Sequence, residues 1–519
     1  MRRRDVMTGG VAMAAAAATG ATEARAQEPA ADVFAQVRRM AAERARRPFE
    51  PVDVALPAAL RDLSYDQYRD IRFRPDKALW RAEGLPFQVQ FFHRAGRAPN
   101  RVDIFEVVEG AIRPIRYDPA LYSFDGPKPP AAPGDIGFNG FRIHAPVNRP
   151  DYFDEVCVFQ GAAYFRALGK GQIYGLSARG FSIDTGEQTP EEFPDFRAFW
   201  LERPAAGAAS VTVHALSDSP SGVGAHRFVI TPGEAAVFEV DFELHPRKAI
   251  AGLGVAPMSS MFLFGPDRSG APAEVEDDYR PGVHDSDGLA MANGVGEHLW
   301  RVLDNPASTQ GSRFDDPGVR GFGLVQRERR FAAYEDLEAL YHRRPSLWVE
   351  PRGDWGPGGV YLLEIATRQE TDDNIAAFWR PAAPLPALVP RAFAYRLSWG
   401  ARLGEAAGLC RVVQTRSGAG GGKGWADASD AASRGLRRYV VDFDFPVGLP
   451  TDLKAAVQVS AGEARNIVLH PNPEAGGLRL AFELAPGSAK VVDLRASLQA
   501  GGRIVSEVWL DRWTAPRQG

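Results

Sequence analysis

Cysteine is nearly absent from this 519-residue chain, which has only Cys157 and Cys410, far apart in the sequence. Their spacing fits neither a disulfide framework nor a zinc site, so two free, buried thiols are expected. The nine histidines fall into no HExxH or other metal-ligand spacing, so no metal is expected. There is no GxSxG elbow, no cysteine placed near a histidine by a recognised signature, and no dinucleotide fingerprint behind a strand. Residues 285–288 (DSDG) begin like a calcium loop, but Leu289 stands at the next ligand position and Glu297 is out of register. The glycine run 418–424 is a flexible loop rather than a phosphate loop, because Lys423 precedes glycine instead of Ser or Thr. Basic residues are not in excess: 61 Lys and Arg against 65 Asp and Glu give a formal charge of −4. A chain so balanced lacks the clustered cations that nucleic acid requires. No cofactor is called for.

Apolar length is also scarce. The alanine-rich stretch 11–18 is too short to span a bilayer as an ordinary helix, and no later segment approaches that length. Arg2, Arg3 and Arg4 precede it and Ala24-Arg25-Ala26 follows, which together read as an export leader cleaved before Gln27. Paired arginines ahead of a weakly hydrophobic core match a twin-arginine signal. Removing residues 1–26 takes away four basic side chains and two acidic ones, moving the charge from −4 to −6. The expected destination is a bacterial periplasm.

Asp32 can cap a short helix presenting Phe34, Val37, Met40 and Ala41 on one face. After it, alternation of apolar and polar residues predicts strands at 87–92, 102–107, 211–215, 238–244, 346–350 and 360–365. A further helix is predicted at 331–341, where Phe331, Tyr334, Leu337 and Tyr341 recur at helical intervals. Four prolines in 381–390 read as an interdomain linker. Beyond it, strands at 393–399, 438–445, 478–484 and 505–510 describe a small sandwich. The fold class is therefore all-β, antiparallel rather than βαβ. The expected domains are 27–382 and 392–519, joined by 383–391.

The richest stretch is 277–306, a loop-like run of carboxylates, histidines, arginines and aromatics; ionisable loops on a rigid scaffold are where sites are built. Asp277, Asp278, Asp285 and Asp287 lie here; Glu350 lies in 346–356; Glu370, Asp372 and Asp373 lie in 368–379. Tyr279, Trp300, Trp348, Trp355, Phe378 and Trp379 interleave them. Aromatic faces for stacking and carboxylates with Arg280, Arg344 and Arg352 for hydroxyls are what a glycan cleft needs. Paired carboxylates are also the minimum for glycoside hydrolysis, one protonating the leaving oxygen and one activating water. A solvated acidic loop and buried core tryptophans are the plain alternative.

Several long motifs carry a resemblance: 63–73 (LSYDQYRDIRF), 137–148 (GFNGFRIHAPVN), 159–186, 279–289 (YRPGVHDSDGL), 293–306, 343–356 and 370–381 (ETDDNIAAFWRP). Through them the chain resembles the periplasmic glucan biosynthesis proteins of the G/D type, and the leader resembles the D branch. The resemblance implies a large N-terminal β-sandwich with a long cleft, followed by an immunoglobulin-like β-sandwich. It also implies anomer-inverting endo-β-1,2-glucanase activity, with Asp285 of HDSDG as general base and Asp373 of ETxDN as general acid. Asp372 beside Asp373 would raise one of the two pKa values. Asp285 is expected beside His284 or Arg280. Substrate contacts are expected among Tyr279, Arg280, His284, Asp287, Trp300, Arg344, Trp348, Glu350, Arg352, Trp355, Glu370 and Trp379. The implied partner is a β-1,2-glucan. A membrane glucan synthase would receive the chain if the protein only handles it, and a homodimer is compatible with either role.

Overall fold

The computed structural model describes residues 32–127, 134–161, 163–265, 278–421, 435–446 and 452–515. Residues 1–31, Asp277 and residues 422–424 of the glycine run therefore lie outside the described residues. Asp32 caps the helix Val33–Ala45 by accepting from the Ala35 amide at 3.0 Å, and Val33, Val37, Ala41 and Ala45 form its buried face. The helix is anchored by Asp218, a fully buried carboxylate that Arg44 reaches at 2.5 Å and Arg247 at 2.7 Å.

Almost everything else is strand, so the mostly β reading holds. Among the described residues the larger sandwich is built from a 10-stranded and a 15-stranded sheet. Pairing is antiparallel except where Asp103–Val108 meets Asp195–Glu202 and His298–Val302 meets Val508–Thr514. Alternation turns phenylalanines inward from both sheets. Phe159 of one sheet lies 5.7 Å from Phe199, 5.3 Å from Phe228 and 6.2 Å from Phe238 of the other. Every strand predicted above is present, though the last begins at Val508 rather than 505. Both cysteines are free and buried.

Two expectations fail. Residues 331–341 do not form an α-helix: 3₁₀ turns occupy Phe331–Ala333 and Tyr341–Arg343, and Glu335 and Leu340 take φ of 54° and 47°. Asp336 explains this locally. Its Oδ1 accepts from the Glu338 and Ala339 amides at 2.8 and 2.7 Å, capturing backbone donors in a side-chain turn. The second failure is the domain boundary. The strand Arg391–Gly400 lies between Ala236–Pro246 and Ser346–Arg352, inside the larger sandwich. The proline-rich segment is tied to that same body, since Leu385 and Ile250 exchange backbone hydrogen bonds and the Leu388 amide reaches Pro246 O at 2.8 Å. It is a return loop, not a linker.

After Gly400 the chain builds a smaller sandwich. Val412–Ala419, Arg437–Asp444, Gly477–Ala485 and Glu463–Asn472 form one sheet, facing Lys454–Val459, Val491–Ala500 and Val508–Thr514. Tyr439, Phe482 and Trp509 pack at its centre. The second of these sheets is continuous with the larger sandwich through Val508–Thr514, and the shared core includes Trp300, Val302, Val325 and Trp348.

Candidate active site

Asp285 follows the short strand Val283–His284, and its amide donates to Met261 O at 2.8 Å. The residue is only 5% exposed. Arg344 Nη1 donates to its Oδ1 at 2.5 Å. Burial lifts this carboxyl to about 6, opposed by the charge and hydrogen bond of Arg344, helped by Asp373, and opposed again by Arg166. The partner of Asp285 is thus Arg344, not His284 or Arg280. Arg344 is itself held by a 3.1 Å bond from Nε to Ala339 O and lies 4.2 Å over the Tyr341 ring. Gly175 leaves room for it, because a Cβ there would stand 2.9 Å from the Arg344 Cβ.

Asp373 lies two residues before the strand Ile375–Pro381, with Asn374 between them. Solvent reaches its side chain, yet the surrounding protein displaces enough water to raise its carboxyl above the ordinary range, as the wall of a cleft does. Arg179 and Arg166 oppose that rise and Asp372 adds to it. Asp372 has a different occupation: the Thr367 hydroxyl donates to its Oδ2 at 2.6 Å. Of the adjacent pair, Asp373 is the one sharing Arg166 with Asp285.

The two acids are tied through one buried residue. Asn374 accepts from the Phe262 amide at 2.8 Å and donates to Phe262 O at 2.9 Å and Ile365 O at 3.1 Å. Phe262 is in turn the strand partner of His284, which precedes Asp285. His284 is buried, with its pKa lowered by desolvation. Its Nδ1 donates to Gln326 Oε1 at 2.8 Å, and Gln326 Nε2 donates to His284 O at 2.9 Å. Asp287 Oδ2 accepts from the amides of Arg327 and Glu328 at 2.9 and 2.8 Å. Gly288 is required because a Cβ there would come within 2.1 Å of Trp300. Arg280 binds Asp278, Asp336 and Glu370 at 2.7, 3.0 and 2.7 Å, so its fork is committed to three carboxylates. Tyr279 beside it is 75% exposed.

Other candidates from the sequence lie elsewhere. Trp379 and Trp355 are buried in the larger core, and Trp300 and Trp348 in the core shared with the smaller sandwich, so none offers a free face for stacking. Arg352 binds Asp241 and Glu239, and Glu350 is exposed opposite Arg396. Apolar and acidic content marked these residues; only pairing reveals which face each occupies.

The sequence reading missed the polar face of the 10-stranded sheet. Gln90 is paired with Arg142, Arg142 with Val158, Val158 with Arg166, and Tyr164 with both Gln160 and Arg179. With strands about 4.8 Å apart, this face runs for roughly 19 Å. Arg142 links Gln90 and Glu155 at 2.8 Å each, and Arg166 lies 4.2 Å over Tyr174. Alternation in 159–167 was the available signal: Phe159 and Phe165 face the core while Tyr164 and Arg166 take the opposite face. Among the described residues, no group of three His, Cys, Asp or Glu side chains is placed to hold a metal ion.

A family model described as periplasmic glucan biosynthesis protein, MdoG, matches residues 33–513. The chain belongs to that family. A glucans biosynthesis protein G from Rhodopseudomonas palustris is 52% identical over 99% of this chain and all of the relative. One from Bradyrhizobium diazoefficiens is 49% identical over 99% of this chain and all of the relative. One from Vibrio cholerae is 46% identical over 92% of this chain and 86% of the relative. These relatives carry the G name, so the D-type placement taken from the leader is not supported. Membership makes the chain a glucan biosynthesis protein, and no described helix is long and apolar enough to cross a membrane.

Proposed function

We propose that this protein is a periplasmic, anomer-inverting endo-glucanase acting on a linear β-1,2-glucan backbone during glucan biosynthesis. The observation that carries the reading is a pair of carboxyls, Asp285 and Asp373, both raised by desolvation and both opposed by Arg166, with the charge of Asp373 lifting Asp285 further. Perturbed carboxyls held in common are what acid–base chemistry needs near neutral pH.

With its carboxyl at about 6, Asp285 is ionised at neutral pH and takes a proton from water as the water oxygen bonds to the anomeric carbon. Asp373 gives its proton to the glycosidic oxygen as the carbon–oxygen bond breaks. The leaving chain departs as an alcohol and the new hemiacetal has the opposite configuration, as a single displacement requires. Arg344 keeps Asp285 ionisable and oriented. Arg166, Arg179 and Tyr164 lie on the polar face that receives sugar hydroxyls, an arrangement in which stacking and hydrogen bonding supplement the acids. Export through the twin-arginine route belongs to the same proposal.

The test is reducing-end release from linear β-1,2-glucan by the purified chain, with product configuration followed by NMR. Asp285→Asn and Asp373→Asn are each expected to lose at least about a thousand-fold in kcat while remaining folded. A wild type that binds glucan but releases no new ends would leave a chain-handling protein that passes glucan to a membrane synthase.

A further inference from the structure

The base segment 284–287 is not held by the larger sandwich alone. It lies along the strip 325–328, which grips it with five hydrogen bonds. The Asp287 amide donates to Val325 O at 2.9 Å, Gln326 makes its two bonds with His284, and the Arg327 and Glu328 amides donate to Asp287. The strip is held in turn from beyond the larger sandwich. Arg327 extends its guanidinium into the smaller sandwich, where Nη2 donates to Glu507 Oε1 at 2.7 Å and Nη1 to Glu507 Oε2 at 2.8 Å. Nη1 also reaches Val412 O at 2.8 Å, and the fork lies 3.5 Å from the centre of the Trp300 ring. Glu507 is 1% exposed and accepts from the Val412 amide at 2.9 Å, so it is fixed before Arg327 arrives. Arg329, the residue that follows the strip, donates to Arg344 O and, at 3.0 Å, to Ala401 O. The strip thus governs both Asp285 and its Arg344 partner.

A cavity of about 550 Å³ lies on this seam, lined by Phe262, His284, Asp287, Arg327, Leu403 and Val412 among others. Side-chain packing is therefore incomplete beside the base segment, and directional bonds must supply its position. A bidentate Arg–carboxylate pair with the carboxylate buried is suited to that task because its geometry is specific.

We propose that the smaller sandwich positions the general base, with Glu507 and Arg327 acting as positioning residues through Asp287. The proposal rests on the reading of Asp285 as that base. It gives the C-terminal sandwich a part in catalysis from a residue 222 positions away in sequence.

The test uses the full chain and linear β-1,2-glucan with Glu507→Gln, Arg327→Lys and the double variant. Glu507→Gln keeps the side-chain shape, and Arg327→Lys keeps the charge but loses the fork. Each is expected to lower kcat about ten- to a hundred-fold, with KM changed by less than about two-fold. The double variant should lose no more than either single one, because both act through one link. In an Asp287→Ala background, which removes the acceptor of the Arg327 and Glu328 amides, the Glu507→Gln loss should disappear. Amide exchange at 284–287 should quicken in Glu507→Gln independently of turnover. A folded Glu507→Gln with unchanged kcat, or losses that multiply in the double variant, would overturn the link. An inactive wild type would instead overturn the assignment of Asp285 as base and the proposal with it, while amide exchange would show whether the physical coupling exists.

Discussion

Asp285 carries a measurable cost. Its folded pKa of about 6 exceeds the unfolded value of about 3.9, so between those values the folded state binds more protons than the unfolded one. Stability from this group is complete below about pH 4 and is lost as pH rises through about 6. The difference of roughly two units corresponds to about 3 kcal/mol. Asn cannot ionise but still accepts from Arg344. Asp285→Asn is therefore expected to melt with wild type near pH 4 and above it at pH 8, the gap opening between pH 4 and 6. Thermal unfolding across that range checks this; a gap that does not change with pH would refute the assigned cost. At this scale the sequence was readable where a short motif concentrates acids, as at 285 and 373. It was unreadable for Arg166, Arg179 and Tyr164, which become neighbours of the acids only through strand pairing. It misled for Trp300, Trp348, Trp355 and Trp379, because an indole serves a core as readily as a cleft.

Among elements, the loop before Ile375–Pro381 is tied to the strand Phe262–Phe264 by Asn374, whose side chain makes two hydrogen bonds to the Phe262 backbone and a third to Ile365 O, while Asn305 bridges Leu263 O and Thr367 O at 3.1 and 2.9 Å. Removing the Asn374 bonds leaves buried amide and carbonyl groups without partners, at about 1–3 kcal/mol each. Asn374→Ala is expected to destabilise the protein by several kcal/mol and to lower kcat by about a hundred-fold through misplacement of Asp373 against Asp285. Melting temperature and reducing-end release check both parts. A variant with wild-type kcat would show that the acids are aligned without the clamp. Strand positions were legible from period-two alternation, and the first helix from its cap and stripe. The helix expected at 331–341 was lost to Asp336, whose turn-forming side chain took the amides a helix would have used.

At the scale of the whole molecule, the two sandwiches share a core and a sheet. A chain ending at Gly400 would expose Ala290, Trp300, Val302, Val325 and Trp348 and leave His298–Val302 without its Val508–Thr514 neighbour. Such a chain is expected to aggregate, whereas the intact protein should unfold in one cooperative transition. Size-exclusion chromatography and calorimetry check this, and a soluble truncated chain with its own sharp transition would show the larger sandwich to be independent. The sequence by itself determined the all-β class, the strand positions, the family and the two candidate acids. These depend on local periodicity and on motifs read along the chain. Tertiary structure decided that Arg391–Gly400 belongs to the larger sandwich, that Arg344 partners Asp285, and that Glu507 reaches the segment 284–287 through Arg327. Each of those facts is a pairing between residues distant in sequence, and alternation fixes which residues share a face but never which strand lies beside it.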